Sequence, residues 1–244
     1  MRTVIELDEV HYDAEDVTGR LALSLSLSVD AGDFVVLLGP ARCGKGLVLR
    51  LCAGLLVPDE GTVRVLGHDP AAPGDDQVVE FRLRVGVVLQ PPGLLSNMTV
   101  FNNVALPLRY HSGRDVEDIE AMVMPLLTRL GLASIRDRFP SALVLGEAKG
   151  VALARALVME PEVLLLEELS AGLDAESSAS VTVLLQEERV RRPLTVLATL
   201  SQPSPLQEMA DRVIYIRNGK VVVAGRRTDL LSSATGDLLA YLGP

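Results

Sequence analysis

Apolar residues follow two different patterns in the first half of the chain. Residues 21 to 29, LALSLSLSV, alternate between apolar and polar types, which is the period of a half-buried antiparallel strand. Residues 34 to 39, FVVLLG, are instead a continuous apolar run, and residues 84 to 90, RVGVVLQ, form a second run that carries a polar residue at its carboxyl end. Such runs predict strands that are buried on both faces, as in a parallel sheet. The pattern therefore predicts an antiparallel segment beside a buried, mainly parallel sheet.

The second half repeats the alternation of strands and helices. Residues 162 to 170, EVLLLEELS, predict another buried strand, and TVLATLS and RVIYIRNGKVV predict further strands. Helices are expected from Lys45 to about Leu56 and from about Ala175 to Arg191, with PAAPGDD, residues 70 to 76, as a loop. Strands that alternate with helices indicate an α/β fold.

One long segment lacks strand patterns. From Pro91 to about Glu160, stretches such as EDIEAMVMPLLTRLG and VALARALVM place apolar residues at the spacing of an amphipathic helix. We therefore expect a helical insertion at residues 91–160 within a single domain of residues 1–244. Residues 1–90 and 161–244 would then form the core together with its antiparallel β-subdomain.

Charge and composition limit the classes of partner. The 32 acidic and 23 basic residues give a net charge of −9, which disfavours nucleic acid as a partner. Cys43 and Cys52 are too few for a disulfide framework, which favours a reducing, cytosolic setting. No signal segment or membrane-spanning run is evident, so a soluble chain is expected. A hydrophobic content of 48% indicates either a large aliphatic core or apolar surface that a partner covers.

The first buried run leads into a candidate phosphate-binding loop. Its residues are Gly39, Pro40, Ala41, Arg42, Cys43, Gly44, Lys45, Gly46 and Leu47. A strand, the spacing G-x-x-x-x-G-K and a helix together let backbone N–H groups and Lys45 surround phosphate. Gly46 stands where this pattern requires the hydroxyl that coordinates Mg²⁺. The alternatives are an ordinary strand-to-helix turn for the loop and a solvent-exposed side chain for Arg42.

These motifs and their order resemble the ATP-binding cassette (ABC) family over nearly the whole chain. Gln90 matches the family's Q-loop glutamine, which helps hold Mg²⁺ and the attacking water, and residues 141 to 174 match the stretch from signature motif to D-loop. The resemblance implies a P-loop NTPase fold, ATP as ligand, a membrane permease as partner and a second ABC subunit, either itself or a paralogue. It also implies a cytoplasmic protein held at the inner face of the cytoplasmic membrane.

A subgroup is suggested by residues 91 to 111, PPGLLSNMTVFNNVALPLRYH. This stretch is similar to the ATPase subunit of Mla-type lipid transporters, which would add an MCE-type lipid-binding protein as partner. Related import ATPases share the TVFNNVA part, so another ABC subgroup is the alternative.

The signature motif departs from the family pattern. The family's LSGGQ aligns with Leu143, Val144, Leu145, Gly146 and Glu147. In the family, this serine and the first glycine contact the γ-phosphate bound by the opposite subunit. Val144 has no donor in its side chain, Leu145 adds bulk, and Glu147 brings a negative charge towards an anionic ligand.

The Walker B and switch positions also depart from the family. Glu168 matches the carboxylate that polarises the attacking water, and Asp174 matches the D-loop aspartate. Glu167 replaces the aspartate that positions Mg²⁺, so its carboxylate is either displaced or compensates for Gly46 by reaching the ion directly. Ser201 takes the place of the switch histidine.

The aromatic residue that stacks on adenine in the family has no clear counterpart. Tyr12 lies near the expected place, but Ala14 aligns with it.

Three hypotheses follow from this combination. The first is a degenerate subunit of a Mla-like lipid transporter that binds ATP, without strict dependence on Mg²⁺, and hydrolyses it weakly or not at all. The second is an active ATPase that drives lipid transport, supported by Lys45, Gln90, Glu168 and Asp174. The third is a structural scaffold that binds no nucleotide.

Overall fold

A small antiparallel sheet opens the fold in a computed structural model that describes residues 2–16, 19–72, 76–233 and 237–242. Its strands are β1 (Thr3–Asp16), β2 (Gly19–Asp30) and β4 (Glu60–Val65), in the order β2-β1-β4. Both pairs are antiparallel. Leu23, Leu25, Leu27 and Val29 of β2 are buried, so the antiparallel strand expected from the alternation at residues 21 to 29 is confirmed.

A larger sheet has the order β5-β6-β7-β3-β8-β9. Its strands are β3 (Phe34–Leu38), β5 (Val85–Val88), β6 (Val163–Glu167), β7 (Thr195–Leu200), β8 (Arg212–Arg217) and β9 (Lys220–Arg226). The first five strands in this order pair in parallel, and β8 and β9 form an antiparallel hairpin. Every residue of β3, β6 and β7 is buried, as the continuous apolar runs require. Strand β5 lies at one end of the sheet and alternates between half-buried and buried residues, so the prediction of a strand buried on both faces at residues 84 to 90 is wrong. The predicted mainly parallel α/β fold is confirmed.

Helices cover this sheet and join its strands. They are α1 (Lys45–Cys52), α2 (Asp76–Leu83), α3 (Val100–His111), α4 (Val116–Arg129), α5 (Leu145–Leu157), α6 (Ala175–Arg191), α7 (Pro205–Glu208), α8 (Arg227–Ser233) and α9 (Asp237–Leu242). Helix α6 has the predicted bounds. Helix α1 ends before the predicted Leu56, because Gly54 adopts a left-handed φ of 68° that cannot continue a helix. The end of the predicted loop at residues 70 to 76 is also wrong, because α2 begins at Asp76; residues 73 to 75 lie outside the described residues.

Helices α3, α4 and α5 lie between β5 and β6 in the chain, within the segment predicted to be helical. Val104, Val123 and Leu153, one from each helix, belong to the same buried cluster. Arg155 of α5 donates to the carbonyl oxygens of Pro92 and Gly93 at 3.1 and 2.9 Å, which fixes the segment after Gln90 against this helix. In the described ranges, none of the helices has the length and apolar character needed to span a bilayer.

Candidate functional site

The loop between β3 and α1 is built around glycines that no other residue can replace without strain. Gly39 has a φ of 149°, and a Cβ added there would lie 2.1 Å from the carbonyl oxygen of Ile216. Gly44 also has a positive φ, 107°, directly before α1. Lys45 is buried, and its Nζ donates to the carbonyl oxygens of Gly39 and Pro40 at 2.6 and 3.0 Å. The loop therefore curls around the lysine ammonium group beside the amino end of α1.

A cavity of about 300 Å³ opens above this loop. Its lining residues are Leu21, Ala41, Arg42, Gly44, Lys45, Gly46, Leu47, Arg50, Glu167, Glu168, Thr199 and Ser201. The structure thus brings together the predicted phosphate loop, both predicted Walker B carboxylates and the predicted switch residue. Arg50 and Thr199 were not expected at the site. Arg50 lies four residues after Gly46, one helical turn away on the same face, which is the signal that identifies it.

Both oxygens of the Glu167 carboxylate are contacted by protein donors. Arg50 Nη2 lies 3.1 Å from Oε1 and 3.3 Å from Oε2, and the backbone N–H of Gln90 donates to Oε2 at 3.1 Å. Gln90 contacts Glu167 through its backbone N–H, and Gln90 is an exposed residue. Magnesium prefers an octahedral set of oxygen ligands. Gly46 supplies no side-chain oxygen and Glu167 is paired with a guanidinium group, so these residues do not fit a magnesium ion as the family holds it.

Within the residues that the structure describes, no group of three or more His, Cys, Asp or Glu side chains is placed to hold a metal ion.

Glu168 and Ser201 form a hydrogen-bonded pair directly after the carboxyl ends of β6 and β7. Ser201 donates to the carboxylate of Glu168 from its Oγ at 2.5 Å and from its backbone N–H at 3.0 Å. The backbone N–H of Glu168 donates to Thr199 Oγ1 at 3.1 Å, and Lys45 Nζ lies 4.0 Å from the carboxylate. Glu168 has a left-handed φ of 47°, an uncommon conformation for a residue with a side chain. The carboxylate predicted to polarise water is therefore held rigidly beside the phosphate loop.

Lys149 holds the turn that carries Glu168. Its side chain is buried in α5, and its Nζ donates to the carbonyl oxygen of Glu168 at 2.6 Å and also to that of Ala171. Burial lowers the pKa of Lys149, and the nearby charge of Glu168 opposes this effect. The sequence signal for this contact is a lysine among small and apolar residues in the middle of α5, which the sequence reasoning missed.

Replacing Lys149 with methionine should reduce the free energy of unfolding by about 1–3 kcal/mol, because two buried carbonyl groups lose their donor. The measurement is urea unfolding. Lys220→Met is the matched control on the exposed start of β9, with an expected change within about 0.5 kcal/mol. Equal effects of the two substitutions would show that Lys149 does not stabilise the turn.

The signature residues lie apart from the cavity of the same chain. Val144 and Leu145 are exposed, at 66% and 51%, at the start of α5. The backbone N–H of Val144 donates to Glu147 Oε2 at 3.0 Å, so the chain's own carboxylate occupies a donor at this helix end. Gly146 follows in the first turn of α5 and is half-buried.

The predicted D-loop residue caps the next helix. Asp174 accepts a hydrogen bond from the N–H of Ser177 at 2.8 Å at the start of α6. The backbone and side-chain hydrogen bonds from Ser177 lower the pKa of Asp174.

The two candidates for adenine contact lie on β1. Ala14 pairs directly with Leu21 of β2, and Leu21 lines the cavity. Tyr12 is half-buried two residues earlier and does not line it. Neither of these β1 side chains supplies an aromatic surface to the cavity.

A family model described as ABC transporter matches residues 23–171, a range that includes the predicted phosphate loop, Gln90, the predicted signature positions and both predicted Walker B carboxylates. The chain belongs to the ABC transporter family. The resemblance drawn from the motifs is thereby confirmed at the level of the family.

Curated relatives of this ABC transporter chain include two methionine import proteins. The methionine import ATP-binding protein MetN of Cupriavidus pinatubonensis is 36% identical over 206 residues, which cover 84% of this chain and 60% of that protein. MetN of Ralstonia nicotianae is 34% identical over 242 residues, which cover 98% of this chain and 69% of that protein. The chain thus spans about 60% to 69% of the length of these relatives.

Solved ABC structures share the fold. The ATP-binding cassette MJ0796, in a dimeric post-hydrolysis state bound to ADP and Pi, aligns with a TM-score of 0.83 and 24% identity, covering 91% of this chain and 98% of that one. Protein cbiO1 from Clostridium perfringens, part of the transporter complex cbiONQ, aligns with a TM-score of 0.77 and 24% identity, covering 95% of this chain and 92% of that one. At this identity the likeness concerns the fold alone.

Proposed function

We propose that this chain is the nucleotide-binding subunit of an ABC transporter and that it binds ATP at the Lys45 loop. The observation that carries the proposal is the 300 Å³ cavity in which the loop, the amino end of α1, Lys45 and Arg42 converge. Backbone N–H groups and the helix dipole favour an anion there, and the ammonium group of Lys45 adds a full charge. A triphosphate is the ligand whose length and charge suit this arrangement.

Hydrolysis by this subunit is proposed to be weak or absent. Glu168 is retained and well held, but phosphoryl transfer depends on several groups acting on one γ-phosphate. Here the hydroxyl at position 46 is missing, and the carboxylate of Glu167 is paired with Arg50. The exposed Val144 brings no hydroxyl to a partner subunit's nucleotide. These features support a subunit whose nucleotide mainly shapes the assembly.

The proposed assembly is a head-to-tail pair with a second ABC subunit, beneath a membrane permease. A groove of about 420 Å³, separate from the nucleotide cavity, is lined largely by apolar residues that include Leu55, Phe81, Val87 and Met159. Arg155, which fixes the segment after Gln90, also lines it. A helix of the permease seated there would contact the nucleotide site through Gln90. The chain would then lie at the inner face of the cytoplasmic membrane.

The domain organisation that we propose for this assembly keeps residues 1–244 as one nucleotide-binding domain. Residues 1–90 and 161–244 form its RecA-like core with the β-subdomain, and residues 91–160 form its helical subdomain.

Methionine or a similar small molecule is the cargo that we propose for import, since relatives with 34% and 36% identity are named methionine import ATP-binding proteins. A substrate-binding protein would then be the third partner. Lipid transport of the Mla type, with an MCE-type partner, is the second candidate and rests on residues 91 to 111. Those relatives do not support it. Uptake of labelled methionine by cells with and without this chain tests the choice: unchanged uptake would remove the first candidate.

ATP binding tests the central proposal. Calorimetric titration of the purified chain with ATP should give saturable binding, and Lys45→Ala should weaken it about 10- to 100-fold, because a charged hydrogen bond to phosphate is lost. Arg114→Ala, which removes an exposed cation between α3 and α4, is the control and should leave the affinity unchanged.

Two further measurements, ATP binding by the assembled transporter and ATP hydrolysis, would select the alternatives. Absence of binding in the chain and in the assembled transporter would favour the structural scaffold. Hydrolysis of ATP in the presence of Mg²⁺ at the rates of ordinary transporters, abolished by Glu168→Gln, would favour the fully active ATPase.

A further inference from the structure

Gly46 and Glu167, the two residues that depart from the family's metal site, are in direct spatial contact. A Cβ added to Gly46 would lie 2.5 Å from Glu167 Oε1, too close for any side chain at that position unless the carboxylate moves. Conversely, glycine at position 46 leaves room for the carboxylate of Glu167 where Arg50 holds it. The missing hydroxyl and the extra methylene are therefore one rearrangement in which a carboxylate fills the space that a hydroxyl would use.

Arg50 holds the carboxylate in this position. The ion pair joins Nη2 and Oε1 at 3.1 Å, and Oε2 lies within 3.3 Å of the same nitrogen. The side chain of Glu167 is 9% exposed and that of Arg50 is 40% exposed, so the guanidinium group bridges the buried carboxylate and the open cavity. An arginine carries five N–H donors, and its contacts with Glu167 use one of its three nitrogens.

The charges around the cavity favour an anion without added metal. Lys45, Arg42 and Arg50 provide three positive charges among the lining residues, against the two carboxylates of Glu167 and Glu168. Glu167 is paired with Arg50, and Glu168 lies 4.0 Å from Lys45 Nζ. A divalent cation placed beside Glu167 would be repelled by the guanidinium group of Arg50. The carboxylate of Glu168 already accepts two hydrogen bonds from Ser201.

We propose that Arg50 takes the place of the divalent cation, so that the triphosphate binds this site as free ATP rather than as its magnesium complex. This inference rests on the proposed binding of ATP at the Lys45 loop. Lys45 and Arg50 together contact the outer phosphates, and Arg50 remains anchored by Glu167. Guanidinium groups bind phosphate well because their planar donors match two oxygens at once.

The test is calorimetric titration of the full chain with ATP in Mg²⁺ and in EDTA. Affinity in EDTA should equal or exceed that in Mg²⁺. An affinity at least about tenfold higher in Mg²⁺ would overturn the inference while leaving ATP binding intact. Absence of binding in both conditions would overturn the proposed function as well, so the two failures are distinguishable.

Variants assign the effect to the guanidinium group. Arg50→Met should weaken binding in EDTA about tenfold or more, and Arg50→Lys should retain part of the affinity because it keeps the charge. Arg84→Met is the matched control, since Arg84 pairs with Glu162 at 2.6 Å outside the cavity and has a side chain that is 31% exposed. Equal affinities of Arg50→Met and Arg84→Met would overturn the role of Arg50, provided that urea unfolding shows both variants folded.

A direct metal readout completes the test. Manganese can replace magnesium and is detected by its paramagnetic resonance when it is free in solution. The chain with saturating ATP should retain no manganese beyond what ATP itself binds in the absence of protein. The double variant Gly46→Ser with Glu167→Asp should retain it, because it restores a hydroxyl and a shorter carboxylate. Tight manganese retention by the unaltered chain would contradict the proposal.

Discussion

ATP hydrolysis in Mg²⁺ should rise at least about 100-fold when Gly46→Ser, Glu167→Asp, Val144→Ser and Leu145→Gly are combined in one chain. The unaltered chain is expected to turn over ATP weakly, because the metal and signature positions act on the same γ-phosphate and the sequence predicts that both are altered. In a head-to-tail dimer each nucleotide meets the loop of one subunit and the signature of the other. Restoring only the metal position or only the signature position would therefore leave both nucleotide sites of a homodimer defective.

The structure predicts that Gly46→Ser requires Glu167→Asp beside it. Gly46→Ser alone should lower the stability of the fold, since its Cβ would lie 2.5 Å from Glu167 Oε1. The carboxylate cannot move away easily because Arg50 and the N–H of Gln90 hold it. Glu167→Asp withdraws the carboxylate by one methylene and makes room for the hydroxyl. The side chain of Arg50, 40% exposed, can then turn towards solvent. The two substitutions together should be better tolerated than Gly46→Ser alone.

Phosphate release by the purified protein measures the first prediction. Glu168→Gln in the repaired chain is the control and should abolish the gained activity, because Glu168 is the carboxylate beside the phosphate loop. If the repaired chain binds ATP and dimerises but is no faster, the defect lies elsewhere, and Ser201 at the switch position is the next residue to replace.

The second large effect concerns stability. Glu188→Gln should lower the free energy of unfolding by about 3 kcal/mol, because a buried carboxylate that three arginines share would lose its charge. The side chain of Glu188 is 2% exposed and accepts from Arg129, Arg191 and Arg192 at 2.9, 2.8 and 3.1 Å. These contacts join α4 of the helical segment to α6 of the core. Glu187→Gln is the matched control: Glu187 also pairs with Arg129 but is 56% exposed, so less than about 1 kcal/mol is expected.

The pH dependence of the free energy of unfolding, compared between the unaltered chain and Glu188→Gln, tests whether the ion pairs of Glu188 cause the stabilisation. Burial raises the pKa of Glu188, but the hydrogen bonds from Arg191, Arg129 and Arg192 outweigh it, so the pKa lies below its usual 4.5. A carboxylate whose pKa falls on folding stabilises the native state above the unfolded pKa, and this stabilisation is lost as the pH falls through the folded value. The difference between the unaltered chain and Glu188→Gln should be constant at neutral pH and shrink below about pH 4.5. A difference that persists unchanged in acid would exclude the ion pairs as its source.

Local patterns accounted for much of the fold. The bounds of α6 and the buried strands followed from periodicity and continuous apolar runs, because burial on one or both faces leaves a regular trace in the chain. Helix α2 was missed, since DQVVEFRL shows little helical periodicity and follows a loop-like stretch. The phosphate loop was recognised because its glycines and Lys45 are close in sequence.

The relations between distant residues could not be read in the same way. Arg50 and Glu167 are separated by 117 residues, and the sequence left open whether the longer carboxylate reaches a metal or is displaced. The fold places it against Arg50 and in the space above Gly46. Likewise, the sequence identified Ser201 as a substituted switch residue, but only the parallel pairing of β6 with β7 brings it within hydrogen-bonding distance of Glu168.

The sequence by itself determined that this chain belongs to the ABC transporter family, and it predicted altered residues at the metal, signature and switch positions, because the type and order of residues along the chain carry that information. The tertiary structure decided what those alterations do to one another. Whether a carboxylate meets a metal or a guanidinium depends on a few ångströms between side chains from different strands and helices, and that geometry is set by the packing of the whole sheet.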